Sequence, residues 1–277
     1  FKSLSVIKKF ALGMLLINIF ALLVGQIDKI ILSKVISLEG FGYYTLASSI
    51  AGFTFFLSSA ITNAHYPLLC KFKQENNKIN FAKTLHSSSR LITILIGSAS
   101  IYIIFFCQEL LGFWIQSSNT ISEIVLIVKL LIVGNLLNTL MWIPYHAQLA
   151  YGWTSITIKT NAALCIVVPP LVYFFSNSYG AEGAALIWIF VNCIYISISQ
   201  LIVFPRILPS EKTKWVYQDT LRPLIIIILI TSCLRIIYPS YASIFIQNLY
   251  LFVAPLFLLF LTLKLFKIKN LEINFSS

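Results

Sequence analysis

Charge is scarce in this chain, and acidic charge most of all. Only nine of the 277 residues are Asp or Glu, and charged residues of both signs make up 10%. Soluble domains carry about 25%, so a solvated surface cannot be built from this composition. The nine carboxylates are scattered, and no H-E-x-x-H, G-x-S-x-G or P-loop spacing occurs. The five cysteines, at 70, 107, 165, 193 and 233, contain no C-x-x-C pair. Four of them lie in apolar runs, where a thiol behaves as a small hydrophobe rather than a metal ligand or disulfide partner. His65, His86 and His146 stand at or beyond the ends of apolar runs, apart from any acid–nucleophile set. Internal repeats, low-complexity stretches and Gly/Ser linkers are absent as well. The sequence therefore reads as a non-enzyme without a cofactor or metal.

What is abundant is hydrocarbon. Hydrophobic residues are 58% of the chain and the mean hydropathy is +0.89. Apolar spans fall at about 10–33, 41–63, 91–106, 124–145, 158–175, 181–204, 223–238 and 244–266. A helix of ~20 apolar residues crosses ~30 Å of hydrocarbon, so the fold class is an all-α polytopic membrane protein with about eight transmembrane helices. A further interfacial piece is expected to run through Trp114, and Pro169-Pro170 should kink the fifth span. The polar stretch 205–222 is the strongest boundary. It separates residues 1–208, with six spans, from residues 209–277, a loop and two further spans.

Basic residues sort by alternate gaps. Three precede the first span, five follow the second, one stands at the entry to the fifth, four follow the sixth and three stand at or beyond the end of the eighth, so sixteen of twenty share one side. The opposite gaps hold only Lys34. By the positive-inside rule both termini face the cytoplasm. The net charge of +11 then suits topology and anionic lipid headgroups and does not call for nucleic acid. Tyr and Trp near span ends fit an interfacial aromatic belt. Phe1–Phe10 lacks a small-residue cleavage site and is not a signal peptide. With Phe1 in place of Met, the numbering is expected to begin inside a longer protein.

Polar residues at depth are the functional candidates. The first span carries Gln26, Asp28 and Lys29, and the fourth carries Lys129 at a similar depth. Asp28 can pair with Lys129 as a structural ion pair, or serve in coupling, with Lys29 facing a cavity or snorkelling outward. Asn18, Gly25 and Lys29 share one helical face. Asn135, Asn138, Trp142 and Tyr145 share another, and Lys129 lies about 120° from it at ~100° per residue. That stripe serves either a cavity or hydrogen bonding between helices.

Several patches together resemble a known family. They are Gln26-Ile27-Asp28-Lys29-Ile30-Ile31-Leu32 followed by Phe41-Gly42-Tyr43-Tyr44, then Leu149-Ala150-Tyr151-Gly152-Trp153-Thr154, then Tyr179-Gly180-Ala181-Glu182-Gly183-Ala184-Ala185. In this order they resemble the second half of bacterial O-antigen and lipid-linked oligosaccharide flippases, of the multidrug/oligosaccharidyl-lipid/polysaccharide exporter superfamily, over roughly residues 5–205. The resemblance implies two six-helix lobes around a central cavity, with spans one to six as the second lobe, spans seven and eight appended, and the first lobe outside this sequence. It implies translocation of an undecaprenyl-pyrophosphate-linked oligosaccharide from the cytoplasmic to the outer leaflet of the bacterial inner membrane. That would serve synthesis of the O-antigen of lipopolysaccharide or another surface polysaccharide, coupled to proton or sodium movement as in an antiporter. A polysaccharide polymerase and a chain-length regulator are the implied protein partners. A cationic cavity is expected, with Lys29, Lys129, Gln26, Asn135 and Asn138 as substrate-binding candidates and Asp28 as the coupling or structural ion-pair residue. The competing readings are a cation-coupled drug exporter of the same superfamily, which would want several buried carboxylates, and a membrane-embedded polysaccharide polymerase or ligase, which would want a large outer loop.

Overall fold

The computed structural model describes residues 2–266, with side chains from residue 8 onward. Lys267 and Lys269, counted above in the basic tail, lie outside the described residues. Every regular element among them is helical. The order is α1 (Lys2–Val35), α2 (Leu38–Ala51), α3 (Phe53–Gln74), α4 (Lys78–Phe105), α5 (Cys107–Trp114), α6 (Ser118–Leu140), α7 (Trp142–Ala150), α8 (Ser155–Ile198), a π-turn at Ser199–Val203, α9 (Phe204–Ile207), a 3-10 turn at Pro209–Glu211, α10 (Lys212–Lys214), a π-turn at Trp215–Leu221, α11 (Arg222–Ile237) and α12 (Ile244–Leu265).

Seven helical stretches are long and apolar enough to cross a membrane. One of them doubles back. Within α8, Gly180 has φ 56° and ψ −138°, a region only glycine enters at little cost. A Cβ at Gly183 would lie 2.3 Å from the Phe175 carbonyl oxygen, so the returning limb presses on the backbone of the outgoing one. Tyr195 donates to Asn161 Oδ1 at 2.8 Å across the same hairpin. The protein is therefore an all-helical multi-pass membrane protein of eight crossings, α8 supplying two limbs (155–179 and 181–198). Pro169-Pro170, where a kink was expected, keep helical dihedrals. The interruption in α8 is at Gly180.

Two other crossings are broken in mid-course. The second changes from α2 to α3 at Gly52, where the Phe55 N–H bonds the Gly52 carbonyl. The fourth changes from α6 to α7 at Met141. Two short turns set the alternation at one end: Ser37 caps α2 through Gly40 N, and Ser117 caps α6 through Thr120 N.

The apolar interior is divided into two clusters. One joins α1, α2, α5, the first half of α6 and both limbs of α8. The other joins α3, α4, the second half of α6, α7, α11 and α12. The last two crossings are thus packed into a shared core, and two ionic contacts fasten them. At the end carrying most basic residues, here the basic end, α4 begins thirteen residues before the apolar span, with Asn77 as its cap. Its His86 and Arg90 meet the fully buried Asp219. Arg90 reaches Oδ1 at 2.9 Å, and His86 Nδ1 reaches Oδ2. Glu211 bonds the other ring nitrogen of His86 at 3.0 Å and Lys214 at 2.9 Å. At the opposite end stands Arg235, near the end of α11. It pairs with Glu109 at 2.6 Å and lies over the rings of Phe106 and Tyr238.

Candidate functional site

A cavity of about 630 Å³ opens among α1, α3, α6, α7 and the two limbs of α8. It reaches from mid-depth, at Gln26, Phe55, Asn138 and Trp188, to the basic end, at Gln148, Ile156 and Val203. Close helix approaches shape it. A Cβ at Gly13 would lie 2.6 Å from Thr154 Oγ1, so α1 runs hard against the α7–α8 turn. A Cβ at Gly134 would lie 2.5 Å from Trp188 Cδ1, so the Trp188 indole lies flush on α6.

The lining is mostly apolar and, among the described residues, carries no Lys, Arg, Asp or Glu. Its polar groups are amides, hydroxyls, indoles and the imidazole of His146. Asn138 sits at the centre. Its Oδ1 accepts from Trp142 Nε1 at 3.0 Å, and its Nδ2 donates to Asn192 Oδ1 at 2.7 Å. Asn192 in turn donates to the Trp188 carbonyl at 2.8 Å. Hydrogen-bonded amides hold both indoles in fixed orientations, and rigid aromatic faces with a few fixed polar groups are what a small-molecule site needs.

The sequence candidates divide accordingly. Gln26 and Asn138 line the cavity, as do Asn18, Gly25, Trp142 and Tyr145 from the two predicted faces. Asn135 stands behind the wall, 5% exposed, with both ends of its amide bonded. Lys29 and Lys129 are not in the lining of this cavity. The Lys29 ammonium lies 3.3 Å from Gln26 Oε1, beside the cavity rather than in it. Lys129, nine residues before the lining residue Asn138 on α6, sits near Cys107 of α5. Asp28 makes no ion pair with Lys129 among the described residues. Its carboxylate accepts from the buried Tyr44 hydroxyl at 2.5 Å and from Lys29 N–H at 2.8 Å. The reason is geometric: Tyr44 stands on the neighbouring crossing at the same depth and reaches Asp28 first.

Positive charge gathers instead at the basic mouth. The α7–α8 turn places Tyr151 and Trp153 there, with Gly152 at φ 69° and Gln148 Nε2 bonding the Trp153 carbonyl at 2.6 Å. Lys73 lies over the Tyr151 ring at 4.5 Å, and Arg206 over the Trp153 ring at 4.2 Å. Arg206 is one turn beyond the lining residue Val203. Neither cation has a carboxylate within 4.0 Å among the described residues.

Sequence reasoning missed Trp188, Asn192 and Tyr195. They recur at i, i+4 and i+7 along the sixth span, one face of a helix, and that spacing was a usable signal. The cations of the mouth carried no such mark, since their rings come from a distant turn.

Comparison with known proteins gives two matches. A family model described as "Polysaccharide biosynthesis protein" matches residues 1–120. A Shigella flexneri protein named "Putative O-antigen transporter" is 25% identical over 174 residues, which is 62% of this chain and 40% of that protein. The chain thus aligns to well under half of that relative's length. No solved structure gives a significant match. The two matches thus liken this multi-pass membrane protein to a polysaccharide-biosynthesis family model over its first 120 residues and to a protein named as an O-antigen transporter.

Proposed function

We propose that this chain is one lobe of a flippase. It moves an undecaprenyl-pyrophosphate-linked oligosaccharide from the cytoplasmic to the outer leaflet of the bacterial inner membrane, with the basic end on the cytoplasmic side. The observation that carries this reading is the uncharged, amide- and indole-lined cavity with unpaired cations at its mouth. Sugar hydroxyls need hydrogen-bond partners when they leave water, and Gln26, Asn138 and Asn161 offer them. The apolar faces of sugar rings suit the indoles of Trp142 and Trp188. A pyrophosphate needs positive charge, and Lys73 and Arg206 offer it at the mouth, where the anion would stay while the glycan enters and the lipid tail remains in the bilayer. Rocking of this lobe against another around a mid-membrane site then gives alternating access. A cation-coupled drug exporter would place carboxylates in the cavity, and the lining has none.

The test is surface polysaccharide in a flippase-deletion strain carrying the full-length parent gene. The parent should restore long-chain glycan. Trp142→Ala and Asn138→Ala should lose it with the protein still in the membrane, whereas Lys129→Ala should keep it. A parent protein that reaches the inner membrane and restores nothing overturns the proposal.

A further inference from the structure

Asn135 is almost wholly buried, and its two ends reach different crossings. Nδ2 donates to the Ala51 carbonyl at 2.9 Å, and Oδ1 accepts from Trp188 Nε1 at 2.8 Å. Ala51 is the last residue of α2. At the break, the Phe55 N–H goes to Gly52, which leaves the Ala51 carbonyl to the Thr54 hydroxyl at 3.1 Å and to Asn135. A carbonyl freed inside a membrane crossing must find a donor within the protein, and here the Thr54 hydroxyl of its own crossing and the Asn135 amide of the fourth supply it. The other partner, Trp188, forms the wall of the cavity. Its ring is seated on Gly134, the residue before Asn135. Phe55, one turn past the break, lines the same cavity and stacks on Trp142 with ring centroids 6.2 Å apart.

We propose that Asn135 is a positioning residue that ties the break in the second crossing to the indole wall of the cavity, so that the bend at Gly52 and the seat of Trp188 are set together. A single amide cannot keep both bonds if either partner moves alone, because each is already at the length of a good hydrogen bond. Bending of the second crossing is thereby read out as a change in the cavity wall. The link does not depend on which molecule the cavity takes, and it stands or falls apart from the export reading.

The experiment is amide hydrogen exchange by mass spectrometry on the full-length protein in detergent. The variant is Trp188→Phe, which keeps an aromatic ring on the cavity wall while removing the N–H donated to the fourth crossing together with part of the indole. Exchange across residues 50–56 of the second crossing should rise at least threefold, with residues 85–100 unchanged. Asn135→Ala should raise the same segment, and the double variant should add little to either. A rise confined to residues 181–198, or one spread equally over all crossings, overturns the proposal. Should Asn135→Ala fail to fold, Trp188→Phe decides alone.

Discussion

Replacing Gly134 by alanine tests the cavity wall with one methyl group. The new Cβ would stand 2.5 Å from Trp188 Cδ1 and 3.2 Å from Nε1. Carbon atoms settle at about 3.5–4.0 Å, so the indole must retreat by about 1 Å. It cannot slide freely, because Nε1 is bonded to Asn135 Oδ1 at 2.8 Å. A retreat of that size takes the pair to about 3.8 Å, beyond hydrogen-bond range. Overpacking of this kind costs about 1–3 kcal/mol. Leaving a buried acceptor unpaired adds about 1–3 kcal/mol, and alanine's better helix propensity returns about 1 kcal/mol. The net loss should be about 1–5 kcal/mol. The assay is reversible unfolding in mixed micelles, with Gly42→Ala as control, since nothing lies within 4 Å of a Cβ there. The control should be neutral or slightly stabilising. If Gly134→Ala came within about 0.5 kcal/mol of the parent, the range of an uncoupled surface change, the tight seat of Trp188 would be refuted.

Other outcomes follow from the same contacts. Asp219→Ala should destabilise by about 3–5 kcal/mol, since it strands Arg90 and His86 against a buried site; unfolding in micelles measures it, and a loss under about 1 kcal/mol would show that the cluster is solvated. Gly183→Ala should remove the protein from the membrane fraction on an immunoblot, because the clash is with the Phe175 backbone and no side chain can yield. Tyr44→Phe should cost about 1.5–3 kcal/mol by removing the hydrogen bond to the Asp28 carboxylate, whereas Lys129→Ala should leave the melting temperature nearly unchanged. Arg206→Ala with Lys73→Ala should lower surface glycan at normal abundance if the anion sits at the mouth; full glycan would refute that placement.

The sequence by itself determined the membrane class and the crossings. Twenty-residue apolar runs must be helices in lipid, because no water is there to satisfy their backbone, and each such run appears as a crossing in the structure. The stripe of Asn138, Trp142 and Tyr145 was legible for a similar reason. Helical periodicity decides which residues share a face. Tertiary structure decided the rest. The beginning of α4 could not be read, since His86 and Arg90 are too polar for a membrane helix until Asp219 satisfies them. The partner of Asp28 was likewise undetermined: two groups at equal depth satisfy the sequence equally, and only the packing of α2 against α1 gives the place to Tyr44 rather than Lys129. The charge of the cavity followed the same rule. Depth along a helix is written in the chain, but the direction a side chain faces relative to its neighbours is fixed by how the helices pack.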